Sequence, residues 1–503
     1  MKHRTLKAAC VSLGALLAAT PSLAGPADNS LSWASDSIPS NIDFYQHTIR
    51  EGIVLAHHIW DTLLYRNNDT GEFEPHLAES YRYVDDTTLE FVLRRGVMFH
   101  NGEELTADDV VATIEYVTTN VTPQPIFFLE GAEKVDDYTV RIKTAGVFPP
   151  ILDYVANLLP IYPADYYAEA GPEGMSREPI GTGPYRVTQH IAGESVSMEA
   201  FEDYFGGVKG QPSIQTLNFR RIGEFNTQAI ELVSGGLDWI WRVPPDAVGQ
   251  FENAGGLTVD AGETIRIAFV GMDATGRAGE SPLENVDVRR AINHAIDRDG
   301  IREALMGPGS SLINAPCAPR QFGCVEEAAV TYEYDPEMAR QMLADAGYPD
   351  GFDIQFWGYR DRPMIEAVFG SLAEVGINAS LNFVQASAIA TARDAGQLPM
   401  WFQAWGSNSV MDVAAGPGYW FSGSPTDYAR DARVSELIEE GNSTVDPEAR
   451  LALYREMIER LTDQAYTVPL FTYALNYVYN EQLEFTPVPD ETPRFFQARW
   501  KDQ

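Results

Sequence analysis

Two arginines follow a predicted strand closely enough to bind a ligand. The strand covers residues 353–356, and the run WGYRDR at 357–362 comes directly after it. A guanidinium group can donate two parallel hydrogen bonds to one carboxylate, and ligands of α/β proteins gather at the carboxyl ends of strands. Arg360 or Arg362 is therefore predicted to bind the carboxylate of a small molecule. The alternative interpretation is a surface network of ion pairs around Asp361, and both interpretations stand at this point.

Aromatic side chains form a second candidate group, in and after the run WFQAWGSN at 401–408. The rings of Trp405, Tyr419 and Trp420 could stack on a ligand, because each combines a large apolar face with a polar edge. The alternative is that these rings belong to the hydrophobic core.

Signatures of catalysis are scarce in this sequence. It has no G-x-S-x-G, H-E-x-x-H or C-x-x-C motif, and the glycines at 181 and 183 are not followed by the Lys-Ser/Thr pair of a P-loop. His57 and Asp61 are spaced by one helical turn and could share a metal ion, although such residues are more often capped or solvated. A protein that only binds needs a cleft with placed polar groups and no reactive residue. We therefore predict a binding protein and keep a secreted hydrolase as the alternative.

The N-terminus has the three parts of a secretory signal peptide. These are a positive segment, a short apolar segment and a small-x-small cleavage site, given by Lys2, Arg4 and Lys7, by residues 8–19, and by Ser22-Leu23-Ala24. Cleavage is predicted before Gly25 and leaves a soluble, exported protein, since no apolar run is long enough to span a bilayer. A lipid anchor on Cys10 is not expected, because Cys10 does not follow the apolar segment.

The charge balance excludes some classes of partner. The chain has 503 residues with 72 acidic and 36 basic side chains, for a formal net charge of −36. Removal of the signal peptide makes this about −39, a balance that repels polyanions. We therefore expect no binding to nucleic acid or to an anionic membrane surface.

Two cysteines, Cys317 and Cys324, follow the predicted cleavage site. In an exported protein this spacing predicts a disulfide that closes a small loop. Metal binding is the weaker alternative, because two thiolates without a nearby histidine make a poor site.

Residues 76–117 carry the most distinctive pattern of the chain. Alternating apolar residues predict a strand at 88–94, and Thr106 with Asp109 forms an acidic variant of the box that caps a helix start. Strand, Arg-Arg-Gly turn, Phe-His-Asn-Gly and Ala-Asp-Asp-Val helix start follow one another in order. Together they resemble the signature of the family 5 extracellular solute-binding proteins of ABC importers, the dipeptide, oligopeptide and nickel binders.

The resemblance extends over the whole mature chain. Further matching runs are GTGPY at 181–185, DVRRAINHAIDR at 287–298 and DAGYP at 345–349. The second of these lies in a helix predicted at 285–301, and a later helix is predicted at 446–463 with Leu451 on its inner face.

The resemblance implies an α/β fold of the periplasmic-binding-protein type, with two lobes around a cleft and an extra subdomain inserted in the first lobe. The implied limits are 25–270 for lobe I, about 70–180 for its inserted subdomain, 271–474 for lobe II and 475–503 for a C-terminal return to lobe I. The chain is expected to cross between the lobes near 268–274 and near 468–478.

The resemblance also assigns roles to candidate residues. In peptide binders of the family, an arginine in the region of Arg360 and Arg362 holds the ligand carboxylate, and a Trp-x-x-Asp motif pairs with the peptide ammonium. Here Trp405 is followed by Asn408, whose amide carries no charge. Asn408 therefore breaks the motif that recognises a free amino terminus, and Asp412 is the candidate replacement.

On this resemblance we expect the solute-binding component of an ABC importer, acting as a monomer without a cofactor. It would capture a peptide-like or other small polar solute that carries a carboxylate, close its cleft and dock on a membrane permease. Opines, small glycosides and metal chelates are alternative solutes. A periplasmic chaperone or sensor partner joins the hydrolase as an alternative function.

Overall fold

The computed structural model describes residues 25–47, 49–68, 70–120, 126–307 and 309–501, so the predicted signal peptide lies outside the described residues. The first part of the chain forms β1 (Ser30–Ser35), α1 (Arg50–Ile59), β2 (Leu64–Arg66), β3 (Phe73–Pro75), β4 (Ala78–Asp85), β5 (Thr88–Leu93), α2 (Ala107–Thr119), β6 (Leu129–Asp136), β7 (Thr139–Thr144), α3 (Ile151–Leu158) and α4 (Ala164–Arg177).

The middle part forms β8 (Tyr185–Ile191), β9 (Ser195–Ala200), β10 (Thr216–Arg221), α5 (Phe225–Val233), β11 (Trp239–Ile240), α6 (Gly249–Glu252), β12 (Leu257–Met272), α7 (Val286–Ala295), α8 (Arg298–Leu305), α9 (Pro336–Asp345), β13 (Phe352–Gly358) and α10 (Arg362–Glu374). The last part forms β14 (Ile377–Phe383), α11 (Ala386–Asp394), β15 (Met400–Trp405), α12 (Pro417–Trp420), α13 (Ala432–Ser443), α14 (Pro447–Asp463), β16 (Thr467–Asn480), β17 (Leu483–Glu484) and β18 (Arg499–Trp500). Of the helices described, none is long and apolar enough to cross a bilayer.

One ten-stranded sheet runs through the molecule in the order β14-β13-β15-β12-β16-β11-β1-β10-β9-β8. Its central strands β12 and β16 are the longest, and they pair antiparallel with a break in register between Glu263 and Ile267. Beyond the break β12 also pairs with β15, starting at Ile267 and Trp405, whereas β16 pairs with β11 on the other side. The break therefore separates two groups of strands in this sheet. Lobe I holds β11, β1, β10, β9 and β8, and lobe II holds β15, β13 and β14.

The break lies just before residues 268–274, where the resemblance implies the first crossing between the lobes. That crossing and the second one, implied near 468–478 in β16, stay predictions. The limits 270 and 474 for the lobes stay predictions.

A smaller antiparallel sheet in the order β4-β5-β7-β6 shares one hydrophobic core with lobe I. Strand β5 confirms the prediction at 88–94, and its alternating apolar residues are buried. Helix α2 begins after Thr106, whose backbone N–H donates to Asp109 Oδ2 at 2.8 Å. The predicted capping box is therefore present, and it places α2 against β6 and β7.

Helices cover both faces of the sheet in lobe II, with one core beneath α7 to α10 and another beneath α12 to α14. The prediction of one continuous helix at 285–301 is wrong, because α7 ends at Ala295 and α8 begins at Arg298. Between them Asp297 accepts a hydrogen bond from Gly300 N at 3.0 Å. The side chain of Asp297 thus caps a second helix instead of continuing the first.

Helix α14 starts as predicted, since Asp446 accepts a hydrogen bond from Ala449 N at 2.8 Å. The prediction that Leu451 faces inward is wrong, because that side chain is 36% exposed. Its neighbour Arg450 is buried instead and donates Nη2 to Asp412 Oδ2 at 2.9 Å. A buried ion pair, and not a leucine, fills the inner face at this level of the helix.

Helix α1 ends at Ile59, where a later glycine turn presses against it. A Cβ on Gly181 would lie 2.1 Å from Ile59 O, and a Cβ on Gly183 would lie 2.4 Å from Ile59 C. Only glycine fits such close backbone contacts. Asp61 consequently lies beyond the helix and does not share a helical face with His57.

Candidate functional site

A cavity of about 290 Å³ lies between the two lobes, beside the register break of β12 and β16. Lobe I contributes the start of α1, with Arg50, and β12 contributes Arg266. Lobe II contributes Arg393 from α11, and Trp405 and Asn408 from the end of β15. The cavity therefore joins residues from both lobes and the hinge, which is the arrangement a closing cleft requires.

A larger cavity of about 750 Å³ lies within lobe I, against residues 483–501. Its charged groups already have partners, since Arg494 lies 2.6 Å from Asp490 and Arg499 is paired with Glu484. It has no lining from lobe II, so lobe movement would not enclose a ligand there. We therefore place the candidate site in the smaller cavity between the lobes.

Positive charge dominates the inter-lobe cavity. The described residues that line it include three arginines and no Asp or Glu. Behind them, Glu491 Oε2 lies 2.6 Å from Arg266 Nη2 and 3.3 Å from Arg50 Nη2. Burial opposes the ionisation of Glu491, yet the two guanidinium groups hold its pKa at about 2. Glu491 thus pairs with two of the three cavity arginines, in a chain whose net charge is −36.

Arg50 is fixed in place by contacts on both sides of the cleft. Its Nη1 donates to Ser409 Oγ of lobe II and, at 3.0 Å, to Asp490 O of the C-terminal return. Its Nε is buried and donates to no residue in the described part of the chain. A buried donor without a partner is costly, so contacts elsewhere in the structure must offset it.

Arg393 lies in the last turn of α11 with a side chain only 12% exposed. Its Nε is 3.3 Å from Asp394 Oδ1, and its guanidinium group lies 5.1 Å from the centre of the Trp420 ring. The ring and the neighbouring carboxylate orient the guanidinium group. The remaining N–H groups of the fork can serve a ligand in the cavity.

The aromatic run divides between the cavity and the core. The rings of Trp405 and Tyr419 are stacked, with centres 4.6 Å apart and planes 17° from parallel. Trp405 lines the cavity and donates Nε1 to Ala415 O at 2.7 Å, which fixes the ring. Trp420 is buried edge-on to it, 5.3 Å away. The ligand-stacking interpretation therefore suits Trp405, whereas Trp420 belongs to the core and Tyr419 supports Trp405 from behind.

Asn408 lines the cavity in an unusual backbone conformation. Ser407, Asn408 and Ser409 have φ of 48°, 49° and 68°, three consecutive non-glycine residues in the left-handed region. Such residues cost free energy and persist where surrounding contacts fix them. One of those contacts comes from lobe I, where Asn157 Nδ2 donates to Asn408 O at 3.3 Å.

Three other predicted ligand-binding residues do not line this cavity. Asp412 is buried, and its carboxylate is bound in the ion pair with α14. Arg360 Nε lies 2.6 Å from Asp361 Oδ2, the ion pair that the alternative interpretation describes. Arg362 is exposed and pairs with Glu366 one helical turn later, at 2.8 Å. The structure thus brings Trp405 and Asn408 together at the cavity and leaves the predicted arginines outside it.

His57 and Asp61 have separate partners. Asp61 Oδ1 lies 2.6 Å from Lys209 Nζ and 2.9 Å from His76 Nε2, and all three side chains are buried. His57 Nε2 lies 3.1 Å from Asn157 Oδ1. Within the described ranges, no three or more His, Cys, Asp or Glu side chains are grouped so that they could hold a metal ion.

Cys317 and Cys324 are joined by a disulfide, with Cα atoms 5.8 Å apart. The loop that it closes supports the segment behind the cavity, because Gln321 Nε2 donates to Val410 O at 3.0 Å. The disulfide loop therefore contacts Val410, the residue that directly follows the left-handed segment at 407–409.

No sequence motif marks the charged residues of the cavity. Arg50, Arg266 and Arg393 stand in three different elements and in no local pattern. The only signal is indirect, since each is a basic residue in a chain with twice as many acidic as basic side chains.

Comparison with known proteins gives the family. The profile of the bacterial extracellular solute-binding proteins, family 5 middle, matches residues 72–428. The chain is 28% identical over 455 residues to heme-binding protein A of Haemophilus influenzae, covering 82% of this chain and 81% of that protein. It is 25% identical over 448 residues to the glutathione-binding protein GsiB of Salmonella choleraesuis, covering 82% and 83%.

The fold is that of solved binding proteins. The structure matches the periplasmic binding protein DppA of Helicobacter pylori, solved in complex with the peptide STSA, with a TM-score of 0.80. The match covers 94% of this chain and 98% of that one at 23% identity, which is evidence for the two-lobe α/β fold. The family profile and the fold agree with the inter-lobe cavity described above. This chain is a member of family 5 of the bacterial extracellular solute-binding proteins.

Proposed function

We propose that this protein captures a small, carboxylate-bearing organic solute in the cleft between its lobes and presents it to the membrane permease of an ABC importer. The observation that carries the proposal is the charge of the cleft, which Arg50, Arg266 and Arg393 line without any Asp or Glu among the described lining residues. Guanidinium groups match the geometry of carboxylates. Positive charge concentrated in one cleft of an acidic protein also attracts anions toward that cleft.

The size of the cavity narrows the proposed solute. Its volume of about 290 Å³ is at the lower end of ligand pockets, which span about 300–1,000 Å³. This space suits a molecule of the size of a dipeptide or tripeptide. Among the relatives, GsiB is named for glutathione, a tripeptide with two carboxylates, and DppA was solved with a peptide. A carboxylate-rich peptide is therefore the solute that volume and charge favour here.

Each lining residue has a proposed role. Arg393 binds a ligand carboxylate, Trp405 packs against the apolar part of the ligand, and the charge of Arg50 attracts a second acceptor. Arg360 is a further candidate, because its neighbour Tyr359 lines the cavity. Arg362 has no role in this proposal, since it pairs with an exposed carboxylate on the surface.

The remaining parts of the proposal concern place and partners. The signal-peptide pattern and the family support export to the periplasm, where we propose that the protein acts as a monomer. Transport energy would come from the ATPase of the importer, so this chain carries out no catalytic step. A hydrolase would instead turn over a model ester or peptide. A chaperone would suppress aggregation of unfolded proteins without saturable binding of a small molecule.

Native mass spectrometry of freshly purified protein, followed by calorimetry, tests the proposal. We expect a co-purified anion, or binding of glutathione or the dipeptide Glu-Glu with a dissociation constant on the order of 1 μM. The dipeptide Met-Leu should bind more weakly, because it offers one carboxylate. Retention of a cationic solute, with no measurable binding of any anion, would contradict the proposal.

Arg393→Ala and Arg362→Ala form a matched pair for locating the site. Loss of a desolvated carboxylate partner costs roughly 2–5 kcal/mol, so Arg393→Ala should weaken the binding of glutathione or Glu-Glu about 30-fold or more. Arg362→Ala should change affinity by less than a factor of about 5, as expected for an exposed ion pair. A larger loss of affinity in Arg362→Ala than in Arg393→Ala would instead place the site at the end of β13.

A further inference from the structure

Asp153 of α3 reaches from lobe I to lobe II. Its Oδ2 accepts a hydrogen bond from the backbone N–H of Met411 in lobe II, and its side chain is only 5% exposed. Ser409 of lobe II covers the same position from the side. Separation of the lobes would remove this hydrogen bond and this cover together. The carboxylate of Asp153 would then return to water.

The second oxygen of Asp153 is poorly satisfied. Among the residues that the structure describes, none donates a hydrogen bond to Oδ1. Arg66 Nε is 3.7 Å away, too far for a hydrogen bond, and Arg66 Nη1 is also buried without a partner. Both residues line a cavity of about 10 Å³, which is room for about one water molecule.

The groups around Asp153 leave its charge largely uncompensated. The titratable or charged side chains that face it are His57 of α1, Tyr65 and Arg66 of β2, Asp412 of lobe II, and Asp490 and Arg494 of the C-terminal return. Burial lowers the pKa of His57 to about 3, so this ring is neutral. Asp490 and Arg494 form their own ion pair at 2.6 Å. The carboxylate of Asp412 is neutralised by α14.

We propose that closure of the two lobes takes up a proton at Asp153, so that closure and solute capture become more favourable as the pH falls through neutrality. A buried carboxylate with one unpaired oxygen loses solvation that a distant arginine does not replace. The protonated carboxyl group has no net charge and can still accept the hydrogen bond from Met411. The proposal concerns the movement of the lobes and holds for any solute that the closed cleft retains.

The direction of the effect follows from linkage. With the lobes together, burial raises the pKa of Asp153 from an ordinary value of 3.8 to about 7, and Arg66 opposes only part of this rise. A group with the higher pKa in the closed form binds protons more tightly there, so a lower pH favours closure. The ratio of closed to open protein should therefore rise about tenfold between pH 8 and pH 6.

Distance measurements between nitroxide labels on the two lobes test this proposal. Glu202→Cys in lobe I and Glu459→Cys in lobe II place one label at an exposed site of each lobe. Pulsed electron–electron double resonance on the mature protein, without added solute, gives the ratio of closed to open protein at each pH. We expect the tenfold rise in the otherwise unchanged protein. In the Asp153→Asn variant, which mimics the protonated side chain, the ratio should not change with pH.

Asp238→Asn is the matched control. Burial also raises the pKa of Asp238 to about 7, but its Oδ2 accepts from Ser32 N at 2.8 Å within lobe I. Lobe separation does not alter that contact, so Asp238→Asn should keep the full response to pH. Arg66→Gln should move the response to higher pH, and it tests the proposal even if Asp153→Asn does not fold. A ratio that is the same at pH 6 and pH 8, or a response that survives Asp153→Asn, overturns the proposal.

Discussion

Arg266 binds Glu491 through two sides of its guanidinium group, with Nε 2.8 Å from Oε1 and Nη2 2.6 Å from Oε2. Arg266 lies at the register break of β12, and Glu491 lies in the C-terminal return. The pair therefore fastens the return segment to the hinge, beside the cavity. Since Arg50 also approaches Glu491 at 3.3 Å, one carboxylate holds two of the three cavity arginines in place.

Replacement of Glu491 should destabilise the fold. Its side chain is 3% exposed, so Glu491→Gln leaves two largely buried guanidinium groups without their carboxylate. We expect a loss of roughly 3–5 kcal/mol in the free energy of unfolding, measured by urea denaturation. Glu484→Gln is the control, because its partner Arg499 is 64% exposed, and it should cost less than about 1 kcal/mol. Similar losses of unfolding free energy in both variants would show that the buried ion pairs of Glu491 stabilise the fold no more than an exposed ion pair does.

The same carboxylate should contribute to acid sensitivity. The arginines hold the pKa of Glu491 at about 2 against burial, below its ordinary value of 4.5. Its stabilising effect is therefore complete above pH 4.5 and lost as the pH falls toward 2. The difference in unfolding free energy between the wild type and Glu491→Gln should narrow over that range. Urea titrations at pH 6, 4 and 3 measure it, and a constant difference would contradict this assignment.

Local patterns predicted the elements that depend on neighbouring residues. The alternation of β5 and the caps at Thr106 and Asp446 act within a few positions of the chain, so the sequence alone suffices for them. The break at Asp297 was missed, because an aspartate on the polar side of an amphipathic run also fits a continuous helix. The outward direction of Leu451 was missed because it depends on its neighbour Arg450, which turns inward to pair with Asp412, 38 positions away.

The site was less predictable than the fold for the same reason. Trp405 and Asn408 stand in a run that resembles the family, and the structure places both at the cavity. The arginines at 50, 266 and 393 meet only when β12 pairs with β16 and the lobes approach each other. No spacing in the sequence predicts that these three arginines meet. Arg360 and Arg362 did satisfy a local rule, but the structure pairs them with Asp361 and Glu366.

The disulfide should stabilise lobe II by about 2 kcal/mol, the low end of the usual range, because its loop is short. The Cys317→Ala/Cys324→Ala variant should show this loss in urea denaturation without reductant. Reductant should lower the stability of the wild type and leave the variant unchanged. Two titratable thiols in unreduced, denatured wild-type protein would refute the bond in solution.

Export should leave a defined N-terminus. The signal-peptide pattern predicts cleavage before Gly25, so the protein recovered from the cell envelope should begin at or near that residue. N-terminal sequencing measures this directly. An intact Met1 on the envelope protein would contradict the prediction.

Asn408→Asp should weaken the preference of the cavity for anions. Asn408 lines it with φ of 49°, a left-handed conformation that aspartate adopts about as well as asparagine, so the backbone should be retained. A carboxylate there faces the same arginines as the solute, and like charges a few ångströms apart at a partly exposed site repel by about 1–4 kcal/mol. Affinity for glutathione or Glu-Glu should therefore fall about tenfold or more in calorimetry, while a ligand with a free ammonium and no net negative charge should gain. Asn253→Asp, exposed on lobe I, adds the same charge far from the cleft and should change neither affinity. Equal changes in affinity in the two variants would mean that the effect comes from the net charge of the protein and that the side chain at 408 does not face the ligand.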